Sequence, residues 1–540
     1  MPLYYTSPCV ADNRQITYRT GNSMSNDTHR TTANTRLVII LIALLAFGLR
    51  LLPGPRIIDD AYITYRYAAN LAAGHGLVYN VGDAVLGTTT PLYALLMAAL
   101  AGLAGAGALP ALSPIVNAMA DAVNVVLLWL IARRLFDSDL PGFAISTLWA
   151  LAPRSVTFAV GGLETSVTVM VMLGAFACWL SGRSRAAAAL AGLAFLARPD
   201  TLIWSGPLAL AMIAEAWIER PDLPLLRRLP WKELGVFLLV TTPWVAYAWL
   251  TYGSPLPHSI AAKAVAYRLA PTQAVVSLIQ NLAEPFFEFD AFGPSGALAG
   301  LITYTSLSVV GVIDLLRRQW RAFPVVLYPW LFFATYALAN PLMFRWYSTP
   351  IMPVYFLVLV GGLWALGRSS GRSAVRLWLV GVTSVFWAAL SLNAWTLHPD
   401  HGSPRPAPRM AWIELELVYE RAGRFLAPHV NADTVVGVAD IGAVGWYSGA
   451  RILDTLGLVS AEATAYYPVD PELISGMAYA VPPDLIFDEL PDYLVLLEVY
   501  VRRGLLTDPR FTEQYVLLRK VETTIYDSDG LLIFARRDVP

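Results

Sequence analysis

From Arg36 to Leu397 the chain alternates apolar runs of about 20 residues with short polar connectors, and beyond residue 400 the pattern stops. Each run is about long enough to cross a ~30 Å hydrocarbon core. The first, "RLVIILIALLAFGLRLL", ends at Leu52. Lys and Arg concentrate in cytoplasmic loops, so the connectors give the runs a direction. Arg14, Arg19, Arg30 and Arg36 precede the first run. This places the N-terminus in the cytoplasm and sends a span at about 37–52 to the outer face. "PLYALLMAALAGLAGAGALP" then decides the direction of every later run. If it crosses, Arg133, Arg134 and every later basic cluster land outside. If it lies in the interface, all of them fall inside. The second option agrees with the charge bias and gives about eleven spans. Glu164, Asp200, His258, Lys263 and Arg345 then belong to outer loops.

The last 140 residues contain no such run. "WIELELVYERAGRFLAP" has helical periodicity, whereas "TVVGVADIGAVGWYSG", "PDYLVLLE" and "GLLIFARR" read as strands with turns. The predicted fold class is a polytopic α-helical membrane protein, with about 11 transmembrane helices and a C-terminal extracytoplasmic α/β domain. Its expected parts are a disordered cytoplasmic tail (1–36), a transmembrane domain (37–397) whose first outer loop covers about 53–112, and a soluble domain (398–540). The Pro-rich stretch "HPDHGSPRPAPR" is the linker.

Composition supports the membrane reading. The chain could hold three or four soluble domains at 540 residues, but it is 56% hydrophobic and only 14% charged, with a mean hydropathy of +0.53. The net charge of −1 hides a segregation: residues 401–540 hold 20 acids against 12 Lys and Arg. No basic stripe suggests nucleic acid. Cys9 lies in the polar N-terminus and Cys178 in an apolar run, so neither a disulfide framework nor a metal-ligand spacing is present.

The candidate chemistry sits at the outer ends of spans. "DDAYITYRYAANLAAGHG" reads as a short amphipathic helix, with Tyr62, Tyr65 and Tyr67 interleaved with Arg66. Helix capping and an interfacial aromatic belt account for one Asp and the tyrosines. They do not account for two adjacent acids, Asp59 and Asp60, which repel unless a cation, metal or proton intervenes. Glu164 in "GGLETS" reads either as an acidic first turn or as a site acid. Arg198 and Asp200 in "ARPD" read first as a pair across a Pro-fixed turn. Only three lysines occur, and Lys263 in "SPLPHSIAAK" is the one placed outside. A phosphate would explain it, and would suit Arg345 too. Snorkelling to headgroups is the alternative for both. Trp346 and Tyr347 could stack on a sugar ring. Acids and cations above an apolar body suit a lipid-linked phosphosugar. A carboxylate takes the acceptor proton, and cations or a divalent metal steady the departing phosphate. No particular cofactor is indicated, and a divalent cation between Asp59 and Asp60 is left open. No nucleotide-binding motif is present.

"DDAYITYRYAANLAAGHGLVYN", followed by "TTTPLYALL", resembles the first outer loop of the GT-C superfamily of polyprenyl-phosphate-sugar-dependent glycosyltransferases. The most similar branch recognised is that of the terminal β-(1→2) arabinofuranosyltransferases of bacterial cell-wall arabinan. "GGLETS", "ARPD", "PHSIAAK" and "ADIGAVGWYSGARILDTLGLVS" resemble further signatures of that branch, in the same order. The resemblance implies many transmembrane helices, interfacial helices in the first loop, and an inverting transfer with a first-loop Asp as base or metal ligand. It carries onto Asp59 and Asp60 as catalytic residues. Lys263 and Arg345 are expected to bind the donor phosphate. Tyr62, Arg66, Glu164, Arg198, Asp200, His258, Trp346 and Tyr347 are expected to line the substrates. Thr90 before Pro91, Tyr93 and His258 depart from the branch pattern and leave the sugar unassigned. The expected partners are a polyprenyl-phosphate sugar, an extracytoplasmic glycan, glycolipid or protein acceptor, and membrane lipids, with the plasma membrane as location.

Two other classes compete. A secondary transporter or lipid flippase would place charges near the midplane and show inverted repeats, and neither is seen. A receptor-like scaffold leaves the first-loop acids unexplained.

Overall fold

The computed structural model describes residues 32–267, 269–339, 342–475 and 479–539. Cys9 and most of the expected tail lie outside the described residues. Among these, eight helices are long and apolar enough to cross a membrane. The first is α1 (Ala33–Leu51). The first-loop helices α2 (Asp59–Ala72) and α3 (Pro91–Ala104) pack along each other. Next come α4 (Leu109–Phe136), α5 (Asp139–Leu151) and α6 (Pro153–Val160). The pair α5 and α6, bent by 50°, makes a ninth crossing if counted as one span. Then follow α7 (Thr165–Leu180) and α8 (Ser184–Ala197).

About eleven spans are expected from the sequence, and the count by length and hydropathy is eight or nine among the described residues. The two extra runs are α7 and α8, of 16 and 14 residues. At 1.5 Å per residue they reach about 24 and 21 Å, short of the hydrocarbon thickness. Nearly every side chain of α7 is buried inside the protein. Its apolarity serves helix packing, which a hydropathy pattern does not separate from lipid contact.

The bundle is built around the helix Met352–Ser369. In its spanning window 89% of residues are buried, against 11% for Trp231–Tyr252 and 22% for Ser373–Asn393, whose Leu239, Leu250 and Val385 face outward. The helix Phe289–Arg318 crosses the central helix at small residues. A Cβ on Gly311 would overlap the Val358 carbonyl, and one on Gly362 the Leu307 carbonyl, so backbones touch there. On the other side an enclosed ion pair and its hydrogen-bond partners tie five helices. Arg50 Nε meets Asp121 Oδ2 at 2.8 Å, both fully buried. Arg50 also donates to the Trp149 carbonyl and Ser155 Oγ. Asp121 accepts from Asn124, Trp149 and Ser166 as well.

The C-terminal domain starts from a two-residue antiparallel pairing of β1 (Trp395–Thr396) with β2 (Ala407–Pro408). Its five-stranded sheet has the order β4-β3-β5-β7-β6. These strands are β3 (Val435–Val438), β4 (Arg451–Asp454), β5 (Tyr493–Leu497), β6 (Tyr515–Val521) and β7 (Leu531–Arg536). β3 pairs parallel with β4 and β5, and β7 is antiparallel to β5 and β6. Every residue of β5 is buried, as a central strand covered on both faces requires. One expected strand region is corrected. "IGAVGWYS" is a helix, Ile441–Ser448, that connects β3 to parallel β4. A short apolar run does not distinguish helix from strand by periodicity, and the parallel crossover settles it.

Asp121→Ala leaves Arg50 charged and unpaired in the bundle, and is expected to cost about 3–5 kcal/mol. Arg50→Met with Asp121→Leu should recover most of that. Thermal unfolding in nanodiscs checks both.

Candidate functional site

The segment before α2 is pinned to the end of α6. Arg56 N–H donates to the Val160 carbonyl and Ile58 N–H to Gly161, both at 3.0 Å. α2 then begins at Asp59, with two acids in a first turn that favours negative charge. The two acids turn to different faces. Asp59 accepts from the N–H groups of Gly442 at 2.9 Å and Ala443 at 2.7 Å, so it caps the helix Ile441–Ser448. A Cβ on Gly442 would overlap the Asp59 backbone, so glycine is required at this contact. Burial first, then the charge of Asp440, holds the Asp59 carboxyl well above the usual carboxylate range.

Asp60 instead faces a cavity of about 600 Å³. Among the described residues its carboxylate has no hydrogen-bond or ion-pair partner. The same cavity is lined by Thr88, Thr89 and Thr90, by Glu164, Arg198 and Asp200, by Ser259 and Lys263, and by Tyr336, Trp346 and Tyr347. The C-terminal domain contributes Leu458. This residue sits on a turn shaped by Asp454, whose carboxylate accepts from Leu456 and Val459 N–H at 2.9 and 3.0 Å.

Most charges in the cavity wall are already matched. Arg198 donates to Asp200 at 3.0 and 2.6 Å and to Glu164 at 3.3 Å. Tyr336 donates to Asp200 at 3.2 Å. The turn pairing read from "ARPD" is present, with Glu164 as a third member. Lys263 is different. Its Nζ meets the Tyr347 hydroxyl at 3.2 Å and lies 5.0 Å from the Phe344 ring, with no carboxylate in salt-bridge range among the described residues. Burial opposes its charge, but Tyr347 and the carboxylates of Asp60 and Asp454 outweigh that and hold Lys263 protonated. Tyr347 also lies under Arg198, 5.0 Å from its guanidinium.

Of the expected site residues, the cavity brings together Asp60, Glu164, Arg198, Asp200, Lys263, Trp346 and Tyr347. The others are placed elsewhere. Tyr62 hydroxyl meets Tyr447 hydroxyl at 3.0 Å on the opposite face of α2. Arg66 donates to the carbonyls of Tyr79, Gly445 and Ala450 at 2.9, 2.8 and 2.6 Å, and lies over the Tyr79 ring. His258 starts the helix His258–Ala266, its N–H on the Leu86 carbonyl at 2.7 Å and its Nε2 buried without a partner. Arg345 is exposed and does not line the cavity. Asp59 and Asp60 diverge, so they do not form a two-carboxylate metal site. Among the described residues no group of three or more His, Cys, Asp or Glu could hold a metal ion. Sequence reasoning passed over Ser259, Tyr336 and Leu458. Ser259 Oγ is buried without a partner in the cavity wall. Its place directly after His258 was the available signal.

Residues 410–536 match the model of a domain of unknown function (DUF8728). Among curated proteins none matches the chain. Solved structures do. ArnT from Cupriavidus metallidurans bound to undecaprenyl phosphate superposes with a TM-score of 0.55 at 14% identity, covering 93% of this chain and 98% of that one. Its apo state gives 0.56 at 12% identity over the same shares. The arabinofuranosyltransferase AftD from Mycobacteria gives 0.39 at 14% identity, with 39% of its length covered, too slight a likeness to argue from. The chain is a multi-pass membrane protein that shares the fold of ArnT.

Beside Asp59, Glu416 accepts the Asp59 N–H at 3.4 Å, and its Oε2 is buried without a partner. Burial, reinforced by Asp440 and Asp60, pushes its carboxyl up to about 7. Asp440, also buried, sits at about 6. A carboxyl raised on folding contributes stability that is complete below its unfolded value, near 4.5, and is lost as pH rises through about 7. The thermal midpoint is therefore expected to fall between pH 5 and pH 8. Glu416→Gln should remove up to about 3 kcal/mol of that loss, at 1.36 kcal/mol per pH unit. Calorimetry at the two pH values checks it.

Proposed function

We propose that this chain is an integral-membrane inverting glycosyltransferase. It moves a sugar from a polyprenyl-phosphate donor to a glycan, glycolipid or protein acceptor. The observation that carries the reading is the pairing left in the cavity: one uncommitted carboxylate, Asp60, and one uncommitted ammonium, Lys263, among matched charges. Support comes from the fold shared with ArnT, whose structure holds undecaprenyl phosphate. The sugar is arabinofuranose or another pentose or hexose, a choice that the departures at Thr90, Tyr93 and His258 leave open.

In this reading Asp60 accepts the proton of the acceptor hydroxyl as its oxygen attacks the anomeric carbon. The bond between that carbon and the phosphate oxygen breaks, with inversion in a single displacement. The polyprenyl phosphate leaves with the bonding pair, and Lys263 steadies its charge. Trp346 and Tyr347 give the sugar an apolar wall, and Arg198 with Glu164 and Asp200 gives it a rigid polar one. The tail follows the apolar side chains of the cavity, among them Phe195, Leu202, Ile203 and Leu342. Asp59 is a positioning residue that acts through the helix Ile441–Ser448. The N-terminus is read as cytoplasmic, and the cavity and C-terminal domain as extracytoplasmic.

In proteoliposomes given radiolabelled polyprenyl-phosphate pentoses and hexoses with a cell-wall glycan extract, wild type is expected to transfer label. Asp60→Asn should lose about 10²–10⁴-fold in rate, the usual share of a general base, without a shift in thermal midpoint. Asp59→Asn should lower both rate and midpoint, because it places an amide against two N–H donors. Full activity in Asp60→Asn would overturn the assignment.

A further inference from the structure

A second cavity, of about 350 Å³, lies on the face of α2 away from Asp60. Its walls come from both halves of the molecule: Ile57 and Tyr62 from the first loop, and Glu416, Leu417, Glu420 and Tyr447 from the C-terminal domain. None of these residues lines the larger cavity. Three kinds of group meet there. The hydroxyls of Tyr62 and Tyr447 sit 3.0 Å apart. Glu416 spends one carboxylate oxygen on the Asp59 N–H at 3.4 Å, and its other oxygen has no partner. Ile57 and Leu417 supply apolar surface.

This mixture selects among ligands. Among the described residues no Lys or Arg lines this cavity, and Arg424 beside it is committed to Glu420, so nothing there matches the charge of a phosphate or a carboxylate. A bare cation would meet only one uncommitted acid, because Glu420 is held by Arg424 at 2.8 Å, and that guanidinium lies 4.4 Å from the Tyr447 ring. A neutral polyhydroxylated ring satisfies every wall. Its C–H faces lie on Ile57, Leu417 and the tyrosine rings, and its hydroxyls donate to Glu416 and exchange hydrogen bonds with the two phenols.

We propose that this second cavity is a saccharide-binding subsite that holds a unit of the acceptor remote from the one that reacts. The word acceptor rests on the glycosyltransferase reading; the binding of a saccharide does not. The Glu416 contact with the Asp59 N–H joins the subsite to the first turn of α2, one residue from Asp60. A bound glycan is thereby sensed at the point where its reactive end must be presented.

The test is saturation-transfer difference NMR on the full chain in nanodiscs, with methyl pentofuranosides, methyl hexopyranosides and their disaccharides as probes. Leu417→Trp fills the cavity, and Tyr447→Phe with Glu416→Gln removes one phenol and replaces the carboxyl by an amide with little change in volume. Asp60→Asn alters only the larger cavity. The expected result is at least tenfold weaker binding in Leu417→Trp and in the Tyr447→Phe/Glu416→Gln pair, and less than a twofold change in Asp60→Asn. Should Leu417→Trp fail to fold, the isosteric pair decides alone. Binding lost in Asp60→Asn but kept in the other variants would place the sugar in the larger cavity and overturn the proposal. So would the absence of binding by wild type at 10 mM probe, on the order of the weakest specific affinities. Expected binding without transfer from any donor would leave the subsite standing and remove the transferase reading.

Discussion

Two backbone N–H groups on one carboxylate hold the working parts of this molecule together. The first N–H groups of a helix have no partner within it and must find one outside. The helix Ile441–Ser448 finds its partner in Asp59, 383 and 384 residues away in sequence. The C-terminal domain thus receives a helix cap from the membrane part. Around this contact other first-loop groups reach across in the same direction. Arg66 and Asn80 bind carbonyls at Gly445, Ala450 and Ile452, Arg451 pairs with Asp83, and Arg56 gathers carbonyls of His401 and Ser403. α2 therefore belongs to both halves, and the larger cavity has a wall from each.

Charge accounting separates scaffold from site. Arg198 is buried, and its cost of desolvation is offset by two carboxylates and a tyrosine ring. Arg50 and Asp121 are fully enclosed and surrounded by donors and acceptors that match them. Such groups are rigid because any displacement leaves a charge unpaired. Lys263 touches a phenol and ring faces and feels Asp60 only at longer range, and neither of the two has an ion-pair partner in contact among the described residues. In a wall where every other charge is matched, these two are the charged groups left without an ion-pair partner among the described residues.

How much of the molecule was legible in the chain depends on how local each interaction is. The spans with lipid-facing sides could be read because their hydropathy is a property of consecutive residues. The Arg198–Asp200 pair could be read because its members are two positions apart. Lys263 stood out through scarcity. What could not be read depends on partners far along the chain. Asp59 is indistinguishable from Asp60 until residue 442 is brought beside it. The apolar run of α7 resembles a span until its neighbours bury it. "IGAVGWYS" becomes a helix because β3 and β4 are parallel. Arg345 resembles Lys263 by position, but only Lys263 lies on a helix that turns it into the cavity.

The puzzle of two adjacent acids resolves through helix geometry. Consecutive side chains on a helix point about 100° apart, and only positions three or four apart share a face. Asp59, Tyr62 and Arg66 follow that spacing along one face, and all three contact the C-terminal domain. Asp60, Ile63 and Thr64 follow it along another, and all three line the larger cavity. Adjacent carboxylates repel when both face one medium. Here one is held by two backbone N–H donors of the C-terminal domain, and the other faces the larger cavity. Adjacency is thus the shortest way for one helix turn to hold the domain with one residue and turn the next toward the larger cavity.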